Sequence, residues 1–164
     1  MKAEYIDTWF RDGIEITGSS KVVDLPFSRT CARALIIRKR DLHILGTLHR
    51  VGGMYALPGG AIEDGESAAQ AVARELEEEQ IILIDPEPGW EDRIAVDYYG
   101  GYKELSVWFI ISVEDAEIGI SEENIESKWI PQGEDIWYPF LLERIILTLS
   151  RLTPAMADRS VIIT

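Results

Sequence analysis

The chain has 164 residues, of which 46% are hydrophobic, so it is long enough to form one domain with a buried core. It carries 16 basic and 29 acidic residues, a formal net charge of −13. This balance argues against a nucleic-acid polymer as partner, because polynucleotide binding depends on clustered Lys and Arg. A small phosphate ester is compatible with it, because a divalent cation held by carboxylates can bridge an acidic protein and an anionic ligand.

Cysteine content and hydropathy point to a cytoplasmic protein. Cys31 is the single cysteine, which excludes an internal disulfide, and it opens an apolar run that favours packing over nucleophilic chemistry. Residues 1–7 lack the apolar stretch of a secretory signal. No run approaches the ~18 to 20 apolar residues that span a bilayer, so no membrane partner is expected.

The first half of the chain is predicted to be mostly β structure. Residues 1–29 alternate short β-like pieces with turn signals, which predicts a small N-terminal β extension. The pieces are residues 5–10, 14–17 and 22–25. Residues 31–38 and 42–48 are predicted to form a hairpin joined at residues 39–41. The glycine-rich residues 50–65 are predicted to be a loop that can approach a ligand.

The second half combines two predicted helices with further strands. Residues 67–80 contain good helix formers and neither Gly nor Pro, so they give the clearest helix. Strands are predicted at residues 81–84, 92–98 and 102–113, and residues 114–126 form an acidic stretch. A second helix starts near Pro139 and carries an apolar packing stripe that includes Ile145 and Ile146. These elements predict an α/β fold with a mixed sheet between helices.

Three glutamates of the first helix share one face. On a helical wheel with ~100° per residue, Glu79 lies about 40° from Glu75 on one side, and Glu78 lies about 60° from it on the other. Glu79 is thus at the edge of the apolar arc, the side of the helix that carries Val72 and Leu76. Like charges at this spacing repel, and a hard divalent cation would compensate them. The plain alternative is a solvated acidic face on an acidic protein. Leu57-Pro58-Gly59-Gly60 directly upstream favours a phosphate-and-metal pocket.

The residues from Gly60 to Ile82 carry a recognisable pattern. Gly60, Glu66, Arg74-Glu75-Leu76, Glu78-Glu79 and Ile82 stand at the spacing that resembles the signature of Nudix hydrolases. One defined position departs from the pattern: Ile81 stands where the family has glycine, the residue suited to the left-handed backbone that ends a helix.

The resemblance implies a single Nudix domain over residues 1–164, an α/β/α sandwich that cleaves a pyrophosphate bond with Mg²⁺ or Mn²⁺. It implies that Glu78, Glu79 and the Gly60 carbonyl bind metal, and that Glu75 is either a further ligand or the proton acceptor. Glu66 and Arg74 would pair to brace the loop against the helix. Gly59, Gly60 and Tyr98 are the expected substrate contacts.

The same resemblance leaves several points open. The substrate could be a nucleoside triphosphate, a dinucleoside polyphosphate, a nucleotide sugar or ADP-ribose, and the attacked phosphorus is not specified. A further acidic ligand could come from Glu104, Glu122, Glu123 or Glu126. Residues 1–29 are a candidate homodimer contact. Two alternatives to an enzyme are a Nudix-fold nucleotide-binding module without turnover, which Ile81 favours, and an acidic interaction domain.

Overall fold

The computed structural model describes most of the chain from residue 29 onward and four short segments before it. The described residues are 2–5, 8–9, 13–16, 21–24, 29–50, 52–99, 104–122, 124–139, 141–146 and 148–149. Side chains are described from residue 29 onward, apart from those of residues 96–99.

Strands dominate these segments. In chain order they are Lys2–Tyr5 (β1), Thr8–Trp9 (β2), Gly13–Ile16 (β3), Lys21–Asp24 (β4), Arg29–Arg38 (β5), Ile44–His49 (β6), Tyr55–Ala56 (β7), Gly59–Ala61 (β8), Ile81–Ile84 (β9), Ile94–Tyr99 (β10), Glu104–Val113 (β11), Asp115–Ile118 (β12) and Asn124–Ile130 (β13). The helix Ala68–Glu78 (α1) separates β8 from β9, and a 3₁₀ helix spans Trp90–Asp92. Residues 141–146 and 148–149 are helical and form the C-terminal helical segment.

Nine of the described strands form one mixed sheet. Its order is β13-β6-β5-β11-β10-β3-β2, with β7 paired to β6 and β8 paired to β5. β5 and β11 run parallel along their whole length, from Glu104 opposite Arg29 to Val113 opposite Arg38, and the other neighbours are antiparallel. β1 with β4, and β9 with β12, form two-stranded sheets.

The sheet separates two cores because successive side chains of a strand point to opposite faces. On β5, Ala34 and Ile36 pack with Val72 of α1. Leu35 from the same strand packs on the other face with Ile145 of the C-terminal helical segment. Helices therefore cover both faces of the sheet, and the predicted layered α/β architecture is confirmed.

Several predicted boundaries were wrong where pairing overrides composition. The predicted loop 50–65 contains β7 and β8, because each of these segments has a neighbouring strand to bond with. The acidic stretch 114–126, for which no element was predicted, contains β12 and the start of β13. The predicted piece 5–10 is divided between β1 and β2. The packing stripe of the second helix includes buried Ile145 but not Ile146, which is 49% exposed.

No helix within the described residues is long and apolar enough to cross a membrane. The contribution of residues 1–29 to a dimer stays a prediction.

Candidate active site

The glycine-rich segment before α1 is pressed against the sheet. Leu57 is fully buried, and the Pro58 carbonyl accepts a hydrogen bond of 2.8 Å from the Ala34 amide. Gly59 pairs with Arg33 across β8 and β5 and has a φ of +146°, a conformation that favours glycine. A Cβ atom at Gly59 would also run into the backbone of β5. The segment predicted to be a loop is therefore a short strand held by its neighbour.

Gly60 is required for a different reason. A Cβ atom at this position would collide with the carboxylate of Glu75 on α1. The absence of a side chain lets the Glu75 carboxylate reach the backbone of β8, so this pair joins the glycine segment to the helix. The Glu75 carboxylate and the main chain at Gly60 therefore lie together, and we call this pair the Gly60–Glu75 corner.

α1 starts and ends with specific local contacts. Ser67 caps its first turn by accepting a hydrogen bond of 3.1 Å from the Gln70 amide, and the Gln70 side chain accepts one of 2.9 Å from the Ser67 amide. After the helix, Gln80 adopts a left-handed φ of +59°, and Ile81 is a buried residue of β9. Ile81 therefore does not need the backbone conformation that its replacement of glycine put in doubt.

Arg74 joins the helix to the segment before it. Its Nε and Nη2 atoms donate to the two Glu66 oxygens at 2.8 and 3.0 Å, and Nη2 also donates to the Ala61 carbonyl at 3.0 Å. Nη1 donates to Glu75 at 2.9 Å and to Glu78 at 3.2 Å. The hydrogen bonds from Arg74 hold the pKa of Glu66 below its usual range. One guanidinium thus hydrogen-bonds three carboxylates and a carbonyl, and a fourth carboxylate, that of Glu63, lies 3.8 Å away.

Replacing Arg74 by Lys is expected to lower the Tm by several degrees. A lysine ammonium is a point charge and cannot supply two parallel bonds to Glu66 while also reaching Glu75 and Ala61. Differential scanning fluorimetry of Arg74→Lys beside Arg40→Lys measures this. Arg40 forms an exposed ion pair with Asp115, so its substitution provides the matched control. Equal Tm values for the two variants would show that the fork geometry of Arg74 is unimportant.

Glu79 is the most unusual group of this site. Only 3% of it is exposed, its Oε1 faces the Gly59 amide at 3.5 Å, and its Oε2 has no hydrogen-bond partner within the described part of the chain. Burial, reinforced by the charge of Glu75, raises the pKa of Glu79 to about 8, although the Gly59 amide opposes the change. A buried carboxyl group with an unused oxygen is costly unless a ligand compensates it.

Asn124, at the start of β13, lies beside Glu79 and lowers its pKa. It is 3% exposed, and neither its Oδ1 nor its Nδ2 has hydrogen-bond geometry to any group in the described ranges. The side chain is therefore close to the Glu79 carboxyl group but outside the geometry of a full hydrogen bond. The sequence alone does not indicate Asn124, because an uncharged side chain downstream of the motif carries no signal for carboxylate or metal chemistry.

Three of the four acidic residues predicted as further ligands are described, and none of the three has a contact with Glu75 or Glu79 among those that the structure gives. Glu104 contacts Arg33 at 3.6 Å in a separate cavity, and Glu126 faces the Tyr55 hydroxyl. Glu122 is exposed, and its carbonyl accepts a hydrogen bond from Arg50. Glu123 lies outside the described residues. Tyr98, the expected substrate contact, belongs to β10 by its backbone, and its side chain is also outside the described part.

The donor types of this site fit a hard divalent cation, which prefers carboxylate and carbonyl oxygens. The unused Oε2 of Glu79 and the Gly60–Glu75 corner supply such oxygens. No three His, Cys, Asp or Glu side chains among the described residues converge as a preformed ligand group. Glu78 is hydrogen-bonded to Arg74 instead, and its side chain is 57% exposed.

Comparison with known proteins identifies the family. Residues 28–139 match the family profile of the NUDIX domain. The chain belongs to the Nudix family. The nucleoside triphosphatase NudI of Salmonella arizonae is 32% identical over 95 residues, which cover 52% of this chain and 67% of that protein. NudI of Salmonella newport is 32% identical over 91 residues, covering 50% and 64%. The chain thus spans about two thirds of the length of these curated relatives.

Solved structures show the same fold. A bifunctional NMN adenylyltransferase/ADP-ribose pyrophosphatase from Francisella tularensis has a TM-score of 0.61 and 25% identity, covering 78% of this chain and 42% of that one. A C. elegans Ap4A hydrolase has a TM-score of 0.61 and 19% identity, covering 76% and 98%. The predicted Nudix sandwich and the pyrophosphohydrolase class that goes with the family are confirmed. Nudix hydrolases generally use divalent metals.

Proposed function

We propose that this Nudix protein is a hydrolase that uses Mg²⁺ or Mn²⁺ to cleave the pyrophosphate bond of a small nucleotide-type substrate. The observation that carries the proposal is the buried Glu79 carboxyl group, whose unused oxygen lies beside the glycine segment of the family motif. A bound cation would stabilise this buried carboxyl group in its charged form. The cation would also allow an anionic ligand to bind, which the net charge of −13 disfavours in its absence.

In this proposal Glu75, Glu78, Glu79 and the Gly60 carbonyl hold the metal. Held by these groups, a divalent metal would supply positive charge to the diphosphate oxygens and would lower the pKa of a water molecule. Glu75 is placed to take up a proton, because Gly60 leaves its carboxylate against the main chain of β8. Glu66 and Arg74 are positioning residues, because their hydrogen bonds fix the segment before α1 relative to the helix. Gly59 offers its amide at the same corner.

Nucleoside triphosphates are the first substrates to test, because the curated relatives are named nucleoside triphosphatases. ADP-ribose is the next compound to test, because the Francisella protein is named an ADP-ribose pyrophosphatase. Dinucleoside polyphosphates and nucleotide sugars complete the panel of substrates. Purified protein with Mg²⁺ is incubated with each compound, and the nucleoside mono- and diphosphate products are separated and measured by chromatography. We expect turnover of at least one compound and none without divalent metal. Binding without turnover of any compound would replace the hydrolase by a nucleotide-binding module.

The binding-module alternative has lost its sequence support. It depended on Ile81, and the left-handed residue after α1 is Gln80 instead. The acidic interaction domain without a small-molecule site predicts no stabilisation by Mn²⁺ and no turnover in the same panel.

A further inference from the structure

A cavity lies on the opposite face of the sheet from α1. It has a volume of about 290 Å³ and a floor that includes Leu57 and Trp108. Polar groups at its wall come from Arg33, Glu104 and Ser106. This volume is close to the lower end of small-molecule sites, about 300 to 1,000 Å³, so it suits part of a nucleotide rather than all of it.

The cavity is next to the proposed phosphate site. Leu57 lines it and is followed two residues later by Gly59. Arg33 also lines it and is the β5 partner of Gly59 in the β5–β8 pairing. A nucleotide with its phosphates at the glycine segment would therefore reach this cavity with its base.

Glu104 offers two hydrogen-bond acceptors to such a base. A carboxylate has about four lone-pair sites. Cys31 donates to Oε1 at 3.2 Å and Ser106 donates to Oε2 at 3.0 Å, which leaves one site on each oxygen. The Arg29 and Arg33 contacts are both 3.6 Å, beyond hydrogen-bond length. Burial raises the pKa of Glu104, but the charge of Arg33 and the hydrogen bonds from Cys31 and Ser106 outweigh it and hold the pKa below its usual value, so the group stays an acceptor at neutral pH.

Two donors stand beside these acceptors. Among the described residues the Arg33 side chain forms a 3.6 Å ion pair with Glu104 and no hydrogen bond, so its N–H groups are open to a ligand. Its charge also acts on Cys31 and Glu79. Trp108 is 1% exposed, lines the cavity, and has an indole N–H without an acceptor in the described part. A buried donor of this kind calls for a carbonyl oxygen. His49 and Tyr138, whose ring centroids are 6.1 Å apart, add aromatic wall for a planar base.

We propose that this cavity binds a guanine base, with Glu104 accepting from its N1–H and N2–H groups and Arg33 or Trp108 donating to its O6. The inference rests on the proposed function, since it assumes that the substrate is a nucleotide. Two adjacent N–H groups beside a carbonyl match two adjacent acceptors beside a donor. Adenine presents a lone pair at N1, which would face the Glu104 carboxylate and be repelled. Uracil and cytosine offer Glu104 a single N–H position on the corresponding edge.

The ligand series GMP, IMP and AMP tests this on the unchanged protein. IMP keeps N1–H and O6 but lacks the 2-amino group, and AMP lacks both the N1–H and the carbonyl. Isothermal titration calorimetry without metal is expected to give the affinity order GMP, IMP, AMP, with GMP at least about tenfold tighter than AMP. Equal affinity for GMP and AMP would overturn the proposal.

Glu104→Gln tests the residue itself. The amide offers one acceptor and one donor, the pattern that fits the adenine edge, so GMP binding should fall while AMP binding holds or improves. A purely structural role for Glu104 would weaken both ligands alike, and that result would contradict base recognition. Glu114→Gln is the matched control, because Glu114 is an exposed residue paired with Lys39 at the far end of β11. Should Glu104→Gln fail to fold, the ligand series on the wild type decides.

Kinetics separate this proposal from the hydrolase proposal. The ratio of kcat/KM for GTP over ATP is expected to favour GTP by about tenfold or more in the wild type and to approach unity in Glu104→Gln. Hydrolysis of both triphosphates at equal efficiency would overturn the guanine site and leave the hydrolase standing. Selective GMP binding without hydrolysis of any pyrophosphate would do the reverse.

Discussion

Glu79→Gln is expected to lower kcat by at least about a hundredfold and to leave the fold intact. The loss of rate follows from removing a charge that the proposed metal site requires. The fold is retained because the pKa of Glu79 is about 8, so the metal-free protein holds this group mostly protonated at pH 7. Glutamine has nearly the shape and polarity of a protonated glutamate, so the buried position tolerates it.

Glu77→Gln is the matched control for this substitution. Glu77 belongs to the same helix and is exposed, so its replacement makes the same chemical change, carboxyl to amide, without touching the site. Steady-state kinetics on the best substrate of the panel, with circular dichroism of both variants, give the comparison. Turnover of Glu79→Gln within a few-fold of wild type would remove Glu79 from the proposed catalytic machinery.

The helix and the motif were predictable because their information is local. Good helix formers, the Ser67 cap and the spacing of Arg74 and Glu75 all lie within one short segment. The helical wheel also placed Glu79 at the edge of the apolar arc. It could not predict that Glu79 would be only 3% exposed, because that depends on the glycine segment and β13 closing over it.

The remaining features depend on contacts between distant parts of the chain. Asn124 reaches Glu79 through the pairing of β13 with β6, which no local pattern encodes. The Cys31–Glu104 contact joins residues 73 positions apart and exists because β5 and β11 are parallel neighbours. Sequence periodicity predicts that such strands exist but not which strands are adjacent. The sequence alone therefore leaves Glu104 as a candidate metal ligand. Only the order of the strands in the sheet places it in a separate cavity.

The stability of the metal-free protein is expected to fall between pH 5 and 8 relative to Glu79→Gln. A glutamate in the unfolded chain loses its proton near pH 4.5, whereas folded Glu79, with its pKa raised by burial, keeps the proton until about pH 8. Across this window the unfolded state binds fewer protons than the folded state, so raising the pH favours unfolding. The contribution is fully present below pH 4.5 and is lost as the pH rises to about 8. Glutamine does not titrate, so the variant lacks this slope.

Urea unfolding in EDTA at several pH values measures the difference between the two proteins, which should amount to several kcal/mol at most. Stability curves that stay parallel from pH 5 to 8 would show that Glu79 titrates normally. Mn²⁺ provides the second arm, because it binds the ionised carboxylate and must displace a proton below pH 8. The gain in Tm on adding Mn²⁺ should therefore grow from pH 6 to pH 8 in the wild type. In Glu79→Gln that gain should be small and independent of pH, because the charge that couples metal binding to proton release is gone.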